Sequence, residues 1–257
     1  MFPNAKKSNI SDEDLTVIPT FLETGKSGST EQISWIVHEP TISYERAVVI
    51  AYGSDGLTTQ WKPEIIRHAR SLAENGILAL VPDYLAKKPS IEHGESNSVF
   101  LQVIQRHAEW EQVLRDAVLA TKTLPSIDSN RVGLLGFSLG GFLTLRLRDT
   151  ASAWVGYFSP FRFPTNLDLG NESPLMGLGA STNPACKIHI HHGENDRLVP
   201  LRLNADSILE ALEDEGNTVS HSYFPGANHG FQGTDISNTK ARDESFDQTV
   251  KFFSANL

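Results

Sequence analysis

The chain has 257 residues, 39% hydrophobic and 21% charged, with a formal net charge of −9. That length and balance suit one globular domain with a sizeable core, and the negative charge argues against nucleic acid or an anionic membrane as partner, since either wants a basic face. No run approaches the ~20 apolar residues of a membrane span, and the single cysteine, Cys186, excludes an internal disulfide and fits a reducing, cytoplasmic setting.

The first 30 residues read as an N-terminal extension, ahead of a domain over residues 31–257. The extension has two lysines near its start but no apolar run after them, so it is no secretory signal. Thr16–Leu22 and Glu31–His38 are strand-like, with Gly25-Lys26-Ser27-Gly28 as the turn between them. Gly-Lys-Ser suggests a phosphate loop, but the glycine that motif needs five residues earlier is Thr20.

From there strands and helices alternate. Ala47–Tyr52 is a continuous apolar strand, and Gly53-Ser54-Asp55-Gly56 follows it. Pro63–Asn75 is a helix with proline in its first turn and Gly76 past its end. Ile77–Val81 is the next buried strand, and a long helix spans Ser98–Thr123. Val132–Leu135 is a strand that runs at once into a turn and a helix. Ala153–Ser159, Lys187–His192 and Val219–Phe224 are further strands. Helices are expected over Leu201–Glu215 and Asp243–Leu257. Continuous apolar strands separated by helices predict an α/β fold: one mostly parallel sheet with helices on both faces.

The sharpest motif is Gly136-Phe137-Ser138-Leu139-Gly140 between an apolar strand and an apolar-periodic helix. It fits a nucleophile elbow, in which the serine occupies a strained turn and only glycines fit two positions either side. The plainer alternative is a glycine-rich turn with Ser138 as a helix cap. A serine hydroxyl needs a base, and the base needs an orienting carboxylate. Asp196 follows the next predicted strand but one, and His229 follows the strand after that. The order serine, acid, histidine runs with steps of 58 and 33 residues, each about one strand-helix unit. Glu194 is the rival carboxylate. The backbone N–H groups of Leu139 and of Ser54 are the candidate oxyanion donors. His189, His191 and His192 suggest zinc, but the pattern His-x-His-x-Asp-His would need aspartate at Gly193, so no metal is expected.

Gly-Phe-Ser-Leu-Gly-Gly, His-Gly-Glu-Asn-Asp-Arg-Leu-Val-Pro and Gly-Ala-Asn-His-Gly-Phe, in this order, resemble the dienelactone hydrolase family of α/β hydrolases. Tyr-Gly-Ser-Asp-Gly-Leu and Val-Pro-Asp-Tyr resemble it too. The similarity runs from about Ile33 to the C-terminus. It implies a single α/β-hydrolase domain that cleaves small carboxylic esters or lactones without a cofactor. By position Ser138, Asp196 and His229 match the family's triad, and Ser54 and Leu139 its oxyanion donors.

Three departures separate the chain from the founding members. They have cysteine at the place of Ser138 and glutamate at the place of Gly53. They also have an arginine shortly after the histidine, where this chain reads Gly230-Phe231-Gln232-Gly233. The expectation is therefore a serine-type relative with its own small-molecule ester or lactone. Short-peptide hydrolysis, acyl transfer and ligand binding without turnover are the alternatives. Pro160–Pro184 is expected to cover the site. Tyr84, Phe161 and Arg162 are the candidates to touch substrate, with Trp61 and Asp83 beside them. Core packing is the alternative for each aromatic, and a surface ion pair for Arg162. The N-terminal residues leave room for a contact in a homodimer.

Overall fold

The computed structural model describes residues 16–22, 31–39, 43–85, 96–161 and 185–257. Within these, eight strands form one sheet: β1 (Thr16–Leu22), β2 (Glu31–His38), β3 (Arg46–Ala51), β4 (Ile77–Pro82), β5 (Val132–Phe137), β6 (Ala153–Tyr157), β7 (Lys187–Gly193) and β8 (Val219–Phe224). Their spatial order is β1-β2-β4-β3-β5-β6-β7-β8. The strands from β4 to β8 run parallel, and β2 and β1 add antiparallel pairs at one edge. The edge strand β1 thus comes from the stretch read as an extension. The turn at Gly25–Gly28, the Pro160–Pro184 cover beyond Phe161, and Arg162 lie outside the described residues.

The central strands are apolar throughout because both of their faces are covered: every residue of β4, β5 and β6 is buried. Strand alternation identifies the two layers. A Cβ on Gly133 would lie 2.8 Å from Phe253 of α5 (Ile236–Asn256), whereas one on Gly136, three residues on, would lie 2.5 Å from the Cα of Gly141 in α3 (Leu139–Leu145). Helix α1 (Lys62–Glu74) packs with α5, and α2 (Ser96–Lys122) with α3. The buried stripe of α1, Ile65, His68, Ala69, Leu72 and Ala73, keeps helical spacing.

Two elements differ from the sequence expectation. Helix α5 starts seven residues before Asp243, capped by Asp235, whose side chain accepts the N–H of Asn238 at 3.0 Å. Its buried stripe is Asn238, Ala241, Ser245, Thr249 and Phe253, mostly small or polar, so apolar periodicity does not reveal it. The helix expected over Leu201–Glu215 is divided into a 3-10 turn, Leu201–Leu203, and α4 (Ala205–Asp214), because Asn204 leaves helical geometry at φ −129° and ψ −76°.

The chain leaves β3 toward β4 but re-enters the sheet on the other side of β3 as β5. The loops after β3 and β5 therefore open side by side at the carboxyl edge, where such sheets bind ligands.

Candidate active site

Ser138 caps α3 at the end of β5 with φ 49° and ψ −117°, a backbone state that costs an L-residue on the order of 1–3 kcal/mol. Its N–H donates to the carbonyl of Tyr157 on β6 (2.9 Å), and its carbonyl accepts the N–H of Phe142 (3.0 Å). The flanking glycines are sterically required. A Cβ on Gly140 would lie 2.2 Å from the Ala51 carbonyl oxygen at the end of β3, and one on Gly136 would strike Gly141.

The loop after β3 closes as a turn, with the Gly56 N–H donating to the Gly53 carbonyl at 3.1 Å. This brings Gly53 against the serine: a Cβ there would be 3.4 Å from the Cβ of Ser138.

Asp196 and His229 meet directly. The Nδ1–H of His229 donates to Oδ2 of Asp196 at 2.7 Å. That assignment leaves Nε2 with the lone pair of the neutral ring. The other carboxylate oxygen, Oδ1, accepts the N–H groups of Leu198 (3.0 Å) and Val199 (2.7 Å). Asp196 is buried, whereas the rival Glu194 is exposed. The His229 loop is tied down separately, since the side-chain oxygen of the buried Asn238 accepts the N–H of Asn228 at 2.9 Å.

Ser54, Ser138, Leu139, Phe161 and His229 all line one cavity of about 830 Å³. Trp61 lines it as well: its indole N–H donates to Asp55 (2.9 Å), and its ring lies against the backbone of Gly230. Of the residues expected to touch substrate, Phe161 is therefore at the cavity and Tyr84 is not. Tyr84 is fully buried, stacked on Tyr52 at 4.8 Å, and donates its hydroxyl to the Tyr52 carbonyl (2.7 Å). Asp83 accepts the Tyr52 hydroxyl, and burial pushes the Tyr52 phenol well up. Both groups brace the strand ahead of Gly53 from behind.

Two phenylalanines at the site have a backbone state that the sequence does not announce. Among the described residues only Ser138, Phe158 (φ 38°) and Phe231 (φ 50°) are non-glycines in the left-handed region, and all three line the cavity. The Phe158 ring stands edge-on to the His229 imidazole, centroids 4.8 Å apart, and Phe231 packs on Phe158 at 5.5 Å. Strain collected at one place is characteristic of sites whose geometry is held by surrounding packing.

The lining contributed by α1 and α5 is polar apart from Ile65. Glu64, His68, Arg242 and Ser245 face the cavity. Burial raises the Glu64 carboxyl above its ordinary range, and burial lowers His68 to about 4. The Nε2 of His68 meets the Tyr157 hydroxyl (3.2 Å), which meets Thr249 (2.6 Å), which meets Nε2 of His191 (3.0 Å).

The other histidines of β7 have their own partners. His189 bonds Ser220 at 2.7 Å, and His192 donates to the Val199 carbonyl (2.7 Å), bracing the turn that carries Asp196. Among the described residues no cluster of acid, histidine and cysteine side chains is placed to hold a metal, and no helix is long and apolar enough to cross a membrane.

Many solved structures share this fold, three of them as follows. A Klebsiella pneumoniae protein assigned as a dienelactone hydrolase superposes with a TM-score of 0.70 at 16% identity, covering 93% of this chain and 98% of its own. A dienelactone hydrolase-like promiscuous phosphotriesterase from metagenomic libraries gives 0.67 at 19% identity, covering 88% and 93%. A propionate-bound thermophilic esterase of Thermogutta terrifontis gives 0.63 at 18% identity, covering 91% and 94%. No curated protein matches the sequence. The sequence model of the dienelactone hydrolase family, by contrast, matches residues 33–257. On that match the chain belongs to the dienelactone hydrolase family and is an α/β hydrolase.

Proposed function

We propose that the protein is a serine hydrolase of small carboxylic esters or lactones, with Ser138 as nucleophile, His229 as base and Asp196 as its orienting acid. The observation that carries this reading is the 2.7 Å bond from His229 to a buried, doubly hydrogen-bonded Asp196, with His229 and the strained Ser138 lining one cavity. Nε2 of His229 takes the Ser138 proton as the oxygen attacks the substrate carbonyl. The carbonyl oxygen becomes an oxyanion and receives the N–H groups of Leu139 and Ser54. Collapse expels the alcohol, which His229 protonates, and leaves an acyl group on Ser138. Water then attacks that ester, with His229 again as base and Ser138 as leaving group.

The charge inventory supports the assignment. Asp196 faces His229 at 2.7 Å and His192 at 3.5 Å, and burial holds His192 below the ordinary histidine range, so the carboxylate is left to stabilise the imidazolium that forms on His229. The test is p-nitrophenyl acetate turnover by wild type, Ser138→Ala and His229→Ala. The reading expects both variants to lose at least ~10³-fold in kcat. Undiminished turnover in Ser138→Ala would remove it.

A further inference from the structure

The cavity has a mixed lining. Besides the residues from α1 and α5, it includes a group from the loops after β6 and β7: Pro160, Phe161, Leu198, Pro200 and Leu203. Leu198 is 57% exposed and Leu203 69% exposed, yet both line the cavity that holds Ser138 and His229. Single exposed leucines are ordinary, but apolar side chains grouped in the lining of a cavity beside a reactive site mark a binding groove for an apolar group.

This rim is held in place by specific bonds. Asn204, only 6% exposed, interrupts the helix expected there and spends its side chain on two loops. Its oxygen accepts the Phe161 N–H at 2.9 Å, and its amide donates to the Pro200 carbonyl at 2.9 Å. Leu203 ends the 3-10 turn just before this break, the bond to the Phe161 N–H ties the loop after β6 to Asn204, and the bond to Pro200 closes the turn that carries Leu203.

We infer that Phe161, Leu198 and Leu203 form the subsite for an apolar arm of the substrate, so that the ester carries an aliphatic or aryl group rather than two short polar arms. The inference rests on the hydrolase reading above and adds the substrate class to it. An apolar arm removes the two leucines and the Phe161 ring from water on binding, while the polar remainder of the substrate faces Glu64, Arg242 and Ser245. Specificity then grows with chain length, because each added methylene on the rim leaves water.

The experiment is a pair of ester series. One varies the acyl group from acetyl to octanoyl on p-nitrophenol. The other varies the alcohol on an acetyl group. Each is run with wild type, Leu203→Asp, Leu198→Asp and the remote exposed-leucine control Leu119→Asp. In at least one series kcat/KM is expected to rise about twofold or more per methylene in wild type. The ratio of long-chain to acetyl kcat/KM should fall about tenfold in Leu203→Asp and Leu198→Asp, and hold in Leu119→Asp. Flat series in wild type, or ratios untouched by both rim substitutions, overturn the subsite while leaving the hydrolase reading intact. No turnover of any ester, with Ser138 inert to a phosphonate probe, overturns both.

Discussion

The indole of Trp61 lies against the backbone of Gly230, the residue after His229, so closely that a Cβ there would be 2.3 Å from its Cη2. Gly230 sits at φ 73°, and Trp61 is fastened at its other end to Asp55 in the loop after β3. One side chain thus spans the loop expected to receive the oxyanion and the loop that carries the histidine. Gly230→Ala should pay both the left-handed backbone and the clash, on the order of 2 kcal/mol or more. Ester turnover should fall about tenfold or further, with a lower Tm by calorimetry; an unaffected kcat would show that the two loops are not coupled through Trp61.

Asp196→Asn keeps the shape of the carboxylate but removes the charge and one acceptor. The N–H groups of Leu198 and Val199 retain a carbonyl partner, so the fold should hold. His229 loses the group that fixes its tautomer, and kcat should drop by on the order of 10³–10⁴. Steady-state kinetics on an activated ester read this directly, and a loss under tenfold would demote Asp196 to a structural role.

Acid stability follows from His68. Burial lowers it to about 4, below its ordinary 6.5, with Arg67 pressing the same way and the Glu64 carbonyl bonding its Nδ1. The unfolded chain therefore binds a proton that the folded one refuses. Stability is fully present above pH 6.5 and falls as the pH drops toward 4, by up to ~1.4 kcal/mol per pH unit from this one group. His68→Phe should lose stability at neutral pH through the broken contact to Tyr157 but show a shallower decline below pH 6.5. Urea midpoints across pH 4–8 check it, and parallel curves would contradict it.

Cys186 is buried far from the cavity, and burial pushes its thiol up to about 12. It has neither the thiolate character nor the access of a nucleophile. Cys186→Ser should keep kcat within about twofold while costing ~1–2 kcal/mol of stability from burying a hydroxyl. Kinetics beside a denaturant titration separate the two effects, and a large loss of kcat would reopen a cysteine mechanism.

Much of the fold was legible because the physics behind it is local. Continuous apolar runs mark strands covered on both faces, and the antiparallel strands β1 and β2 fall where Thr16–Leu22 and Glu31–His38 predict. Gly136 and Gly140 are readable as glycines because no other residue fits those positions. What escaped was tertiary. Helix α5 buries Asn238, Ser245 and Thr249, which pattern reading counts as surface. Asn204 breaks a helix for the sake of bonds to Phe161 and Pro200, distant partners that its neighbours in sequence do not announce. Tyr84 follows a strand end like a site residue, but it turns inward because its hydroxyl finds the Tyr52 carbonyl. Phe158 and Phe231 adopt a backbone state that no phenylalanine advertises.

The central claim is that Ser138 is the nucleophile. Treating the wild-type protein with a fluorophosphonate and mapping the adduct by peptide mass spectrometry tests it most directly. The account predicts one adduct, on Ser138, abolished in Ser138→Ala and strongly slowed in His229→Ala. An adduct on another residue, or equal labelling in Ser138→Ala, would contradict it.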